Sequence, residues 1–429
     1  MKHFKKIYIA GINRSGGSLL GRLFDGHKDF SSYPMEVGFK FDYNSYGFLD
    51  KITGSPFYIP DFDNSVDPSE YFEANKEVIS YKWGKETSGK FGVRANYLEK
   101  AYYEKSIKTN FNHELYIEKL NKYCLGSKSN QELYEGKHKA YFESWDNSAY
   151  FKDPKYIVTH ASSGLFLSDF GKYFNDFKNS FIFIPIRDCI GYVAAEKTRI
   201  ARRFFGSRRF AKPLPPDTLI KMFNAYDLNA LLNTWLISIS RIKLLQEKYD
   251  KTNKLVTYRF EKLVENPSNA MKILSKKLDV NYEDTLISPT LCGKKWLGNS
   301  QQGQNNGINP RPNQYYKNVL REDEIEFINS KIKNIDKIIQ EQKNFEVNFK
   351  DVDDKYFFDI KNQRKASSDV RTWSLYCALG FAGFRKLKLS KSNSVSLIAY
   401  FFSIFVMIYH IPRLLKQKLF PGLGKQNYT

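Results

Sequence analysis

The chain has 429 residues, enough to bury a substantial core and more than one domain usually needs. Apolar residues make up 42% of it, which excludes a disordered chain, and 67 Lys plus Arg against 46 Asp plus Glu leave a formal net charge of +21. So large a basic excess points to an anionic partner, such as a phosphate-rich cofactor, an acidic glycan or an anionic lipid surface. Four scattered cysteines without a CxxC pair, and six histidines without metal-ligand spacing, argue against a structural metal and call for no disulfide.

Residues 7–12 are a short apolar run ended by Asn13-Arg14-Ser15-Gly16-Gly17. The run is too short for the apolar core of a secretion signal, so a cytoplasmic protein is expected. From Ser18 the apolar Leu19, Leu20, Leu23 and Phe24 recur at helical spacing. Strand, Gly-rich turn and helix open an α/β fold. Residues 41–150, rich in Tyr, Lys and Asn, read as an inserted, partly helical region. Strands are expected at 156–160 and 180–186, the second so continuously apolar that it suits the centre of a parallel sheet. Helical patterns cover 191–204, 228–249, 268–278 and 322–342, with a further strand over 254–260 and a Gly-, Asn- and Gln-rich loop over 291–312. Strands alternating with helices from residue 4 to 280 predict a three-layer, mostly parallel α/β sheet. One domain over 1–350 and a separate C-terminal region over 351–429 are expected.

Gly11-Ile-Asn-Arg-Ser-Gly16-Gly17-Ser18 nearly fits the pattern GxxxxGK[ST], but Gly17 occupies the lysine position. A kinase of that type needs the lysine on the transferred phosphoryl group. Here the cation is Arg14, earlier in the loop, while backbone N–H groups and the helix N-terminus remain able to cradle an anion.

Arg14-Ser-Gly-Gly-Ser-Leu-Leu-Gly-Arg-Leu-Phe-Asp-Gly-His27 resembles the 5′-phosphosulfate loop of the sulfotransferase superfamily, written RSGTTLL…LDxHP. Phe183-Ile-Pro-Ile-Arg187-Asp188 resembles that family's 3′-phosphate motif, with Ala195 where a serine is usual. The segment from Val256 to Pro267 is similar to the family's RYEDLxxxP turn. Trp296-Leu-Gly-Asn-Ser300, then Arg311 and Tyr316 to Leu320, resemble its WxGNS…R…YxxxL region. The resemblance implies a P-loop NTPase-like sulfotransferase fold and 3′-phosphoadenosine 5′-phosphosulfate as donor, with no metal. Arg14, Ser15, Gly16, Gly17, Ser18, Arg187, Ser300 and Arg311 would hold that donor, and Arg14 would also neutralise charge during transfer.

Two residues compete to be the base that takes the acceptor's proton. Val158-Thr159-His160 resembles the segment carrying the catalytic histidine of the cytosolic branch. Glu36, in Ser32-Tyr-Pro-Met-Glu36, lies where protein-tyrosine and many carbohydrate sulfotransferases keep a catalytic glutamate. The loop built on Arg14 is of the glutamate-using type, which favours Glu36. Glycine at 17 and alanine at 195 keep open an anion-binding or membrane protein that has lost catalysis on this fold, and a P-loop kinase is the third reading.

Residues 392–412 contain no Asp, Glu, Lys or Arg and are flanked by Arg385, Lys386, Lys388 and Lys391 on one side and Arg413, Lys416 and Lys418 on the other. Such a segment fits a marginal span, an interfacial helix on anionic lipid, or a buried core helix. Association with a membrane through this C-terminal segment is expected. The expected acceptor, whose site the 41–150 insertion would shape, is a hydroxyl of a glycan or glycolipid near that surface, and no nucleic-acid partner is expected.

Overall fold

The computed structural model describes residues 4–36, 113–144, 154–161, 164–204, 228–249, 252–291, 293–296, 308, 316, 320, 322–342, 344–350 and 352–353. In chain order it contains β1 (Lys5–Ala10), α1 (Gly17–Asp25), β2 (Phe30–Glu36), α2 (His113–Cys124), α3 (Asn130–Glu143), β3 (Tyr156–Ala161), α4 (Gly164–Leu167) and α5 (Phe170–Asp176). There follow β4 (Ser180–Ile186), α6 (Cys189–Phe204), α7 (Leu228–Tyr249), β5 (Leu255–Arg259), α8 (Phe260–Glu265) and α9 (Pro267–Leu278). A short hairpin of β6 (Thr290–Leu291) and β7 (Lys294–Lys295) and the long α10 (Glu322–Glu341) complete them.

The first five strands form one all-parallel sheet in the order β2-β3-β1-β4-β5. The sheet is the α/β class that the sequence pattern predicts. β2 is a strand the apolar pattern did not announce, because Ser31, Ser32 and Pro34 interrupt it. Its place at the edge explains why it forms: an edge strand tolerates a proline, whose missing N–H would leave a gap in a central ladder. Pro185 in β4 is accommodated differently. The ladder between β4 and β1 ends at Ile9 and Phe183, before Pro185 is reached.

Alternation along the strands sorts side chains onto two covered faces. On one, Tyr8 Oη lies 2.7 Å from Ser168 Oγ beside α4, Tyr8 packs on Tyr173 of α5, and Lys6 forms a buried ion pair with Glu135 of α3. Tyr33 meets Tyr141 of α3 edge-on at 4.8 Å on the same face. On the other, Phe24 of α1 packs on Phe30 and Phe183, Ser32 Oγ donates to the Gly21 carbonyl at 2.8 Å, and the Tyr156 hydroxyl donates to the Leu278 carbonyl of α9. Helices on both faces make three layers. Helix α3, from the region read as an insertion, is thereby part of the cover of the sheet.

The chain divides into two compact units, Met1–Arg187 with Leu245–Arg311 and Asn344–Asn348, and Asp188–Leu244 with Pro312–Lys343 and Phe349–Thr429. The first holds the parallel sheet. In the second, α10 buries Ile328, Ile332, Ile335 and Ile339 along one stripe, and α7 buries Leu232, Trp235, Leu236 and Ile239. Among the described residues no helix is long and apolar enough to cross a membrane, and residues 392–412 lie outside them.

Candidate anion-binding site

The chain leaves β1 towards β2 on one side of the sheet and leaves β4 towards β5 on the other. The C-terminal ends of β1 and β4 therefore flank the point where the direction of connection reverses, which is where open parallel sheets bind ligands. The residues placed there are the loop 11–16 after β1, the start of α1 at Gly17, and Arg187 after β4.

The loop is built from positions that resist ordinary backbone. Arg14 has φ 67° and Gly16 φ 90°, both left-handed. At Gly16 only glycine fits. A Cβ there would stand 2.1 Å from Cδ2 of Phe260, the first residue of α8. Gly16→Ala is expected to destabilise the protein by about 2–4 kcal/mol, from positive-φ strain and overpacking together. Urea unfolding measures it, and an unchanged midpoint would show that the loop does not have this shape.

At Arg14 the backbone would also favour glycine, yet a large cation occupies the position. Strain of this kind persists where the surrounding structure holds it, commonly at ligand clamps. One such restraint is a hydrogen bond within the chain: Arg187 Nη1 donates to the Arg14 carbonyl at 3.1 Å. The Arg187 guanidinium also lies over the Phe260 ring, 5.2 Å from its centroid. Two arginines thus share the ends of neighbouring strands.

Ser15 takes a different part from the one its motif implies. It is buried, its hydroxyl donates to the Ile12 carbonyl at 2.6 Å and its N–H to the same oxygen at 3.3 Å. Both donors brace the loop and leave none for an anion. Gly16 caps α1 without any side-chain hydrogen bond, and the first turn of α1 contains no acidic residue. The N–H groups of Gly17 and Ser18 belong to the first turn, whose donors a helix cannot satisfy internally, and they carry the positive end of its dipole. A Cβ at Gly17 would meet Ile9 Cγ2 at 3.3 Å, so the threonine usual in the resembled motif would press on β1.

The two candidate bases occupy paired positions on adjacent strands. Glu36, the last residue of β2, is the register partner of His160 on β3, after a register shift that follows Ser32. His160 lies on the α1 side, its Nδ1 3.8 Å from where a Cβ on Gly21 would stand, and it is only 3% exposed. No hydrogen-bond partner reaches Nδ1 among the described residues. Burial, and then the positive charge of Arg22, lower its pKa to about 3. The imidazole stays neutral at physiological pH and holds an abstracted proton weakly.

Asp25, at the C-terminal end of α1, accepts hydrogen bonds from Thr290 Oγ1 at 2.7 Å and the Gly293 N–H at 2.9 Å, fixing the β6–β7 hairpin. That hairpin leads to Ser300 and Arg311, both of which lie outside the described residues. Ala195 is buried in α6. No group of three or more His, Cys, Asp or Glu able to hold a metal occurs among the described residues. Phe260 is the site residue that sequence did not disclose. It follows Arg259 at a strand end and reads there as one more strand residue.

The chain is similar to solved sulfotransferase structures. One is the sulfotransferase domain from the Synechococcus olefin synthase, at 14% identity and TM-score 0.42 over 77% of this chain and 95% of that one. Another is the sulfotransferase domain from the curacin biosynthetic pathway, at 13% identity and TM-score 0.40 over 78% and 99%. A sulfotransferase from Mycobacterium tuberculosis aligns at 12% identity and TM-score 0.33 over 66% and 70%. No family model matches the chain, and no curated protein matches it.

Proposed function

We propose that this protein transfers a sulfuryl group from 3′-phosphoadenosine 5′-phosphosulfate to a hydroxyl of a glycan or glycolipid. The observation that carries the reading is the placement of Arg14, held in a left-handed loop conformation, and Arg187 together at the switch point, beside the uncapped N-terminus of α1. The ligating groups there are N–H donors and guanidinium cations, a set that suits tetrahedral oxyanions. With Gly17 in the lysine position, the loop lacks the cation that phosphoryl transfer from ATP requires.

Gly17, Ser18 and Arg14 would hold the 5′-phosphosulfate, and Arg187 the 3′-phosphate, with Ser300 and Arg311 completing the donor contacts. The bound donor supplies an electrophilic sulfur, to which the acceptor oxygen bonds as the bond from sulfur to the phosphate oxygen breaks. Arg14 and the N-terminus of α1 stabilise the charge left on that phosphate. The acceptor's proton goes to the Glu36 carboxylate. A pKa lowered to about 3 by burial and Arg22 leaves His160 a weak proton acceptor near neutral pH, which favours Glu36 over His160. The net charge of +21 and the apolar segment 392–412 between basic flanks support an acceptor presented at an anionic membrane surface.

Calorimetry with the desulfated product, adenosine 3′,5′-bisphosphate, tests the reading. Wild type is expected to bind it, and Arg187→Ala to bind roughly 10–100-fold more weakly, the worth of a hydrogen-bonded charge contact. Absence of binding to wild type would end the proposal.

A further inference from the structure

Phe260 touches both halves of the anion site and belongs to neither motif. Its ring lies against Gly16, which has no Cβ to keep it away, and carries the Arg187 guanidinium 5.2 Å from its centroid. The register of Ile186 with Arg259 brings the ends of β4 and β5 side by side, so Phe260 follows β5 just where Arg187 follows β4. The ring is 9% exposed, which leaves it little freedom to move. Arg187 closes the circuit by donating to the Arg14 carbonyl.

We propose that Phe260 is a positioning residue that sets the separation between the phosphate loop and Arg187, and so selects a ligand carrying two separated anionic groups over one carrying a single group. The inference rests on the donor reading above for the identity of the ligand, but its structural half does not. An aromatic ring is a rigid spacer with two torsions, and it offers a face to a cation and an edge to a glycine. A leucine keeps the burial and loses both the flat face and the reach. Arg187 would then keep its charge while its distance from the loop varies. A ligand spanning both elements suffers from that variation, whereas a ligand held by the loop alone does not.

The test uses the full chain as wild type, Phe260→Leu and Phe260→Tyr. Calorimetry is run with adenosine 3′,5′-bisphosphate and with adenosine 5′-monophosphate, and amide hydrogen exchange is measured without ligand. Phe260→Leu is expected to weaken the bisphosphate about tenfold or more and the monophosphate less than about twofold. The amides of residues 14–20 should exchange faster, and Phe260→Tyr should restore wild-type behaviour in both readouts. Equal loss for both ligands, or unchanged binding together with unchanged loop exchange, would overturn the inference. If wild type binds no bisphosphate, the donor reading fails while loop exchange still decides the role of the ring: faster exchange in Phe260→Leu upholds it and unchanged exchange removes it. Should Phe260→Leu not fold, Phe260→Met removes the ring in the same way and is read by the same criteria.

Discussion

Glu36→Gln is expected to lower kcat by about 10²–10⁴-fold, the range that general-base catalysis contributes, and to leave the affinity for adenosine 3′,5′-bisphosphate within about twofold of wild type. Glutamine keeps the size and a hydrogen-bonding end but cannot accept the acceptor's proton. In the proposed reading the donor contacts would come from the loop after β1 and from Arg187, not from the end of β2, so binding and turnover should separate. His160→Gln provides the contrast. A group whose pKa is lowered to about 3 gives little driving force for proton abstraction near neutral pH, so turnover in that variant should stay within roughly tenfold of wild type. Single-turnover transfer of labelled sulfate, read beside calorimetry, checks both. Wild-type turnover in Glu36→Gln removes Glu36 as the base, and a larger loss in His160→Gln than in Glu36→Gln reverses the assignment.

The same histidine should make the fold acid-sensitive. Folded His160 stays neutral until pH approaches about 3, whereas the unfolded chain takes up the proton near the ordinary value of 6.5. Between those values the unfolded state binds more protons, so this group's contribution to stability is complete above 6.5 and is lost as pH falls towards 3. At 1.36 kcal/mol for each unit of pKa difference, the loss amounts to about 3–5 kcal/mol across the window. Burial acts on His138 in the same sense and adds to the acid lability. Urea unfolding at neutral pH and at about pH 4.5 should show wild type losing clearly more stability than His160→Gln. Identical pH dependence in the two proteins would mean that His160 is not buried beside α1 and Arg22.

The local structure at the candidate site was legible along the chain because the relevant signals are local. A short apolar run, then Arg14 to Ser18, then apolar residues at helical spacing can only be a strand, a tight turn and a helix. The glycine in the lysine position is equally local. The parallel sheet followed from continuous apolar strands separated by helices. β2 was not legible, since Ser31, Ser32 and Pro34 hide a strand that is stable only because β3 covers one edge of it. The buried pair of Lys6 and Glu135 was hidden for a related reason: its partners are far apart in the chain, and each alone reads as a solvated charge.

What sequence by itself determined is the chemistry on offer, namely an uncapped glycine loop with Arg14, a second arginine at a strand end, and two possible bases. Tertiary structure decided how those groups are placed. It turned the Ser15 hydroxyl and N–H inward onto Ile12, set Arg187 on the backbone of Arg14, and inserted Phe260 between that arginine and Gly16. It also made Glu36 and His160 neighbours on adjacent strands and buried the histidine beside Arg22. The physical reason is that hydrogen-bond direction, distance and desolvation depend on which strand lies beside which. That order, β2-β3-β1-β4-β5, is a property of packing and not of any single segment.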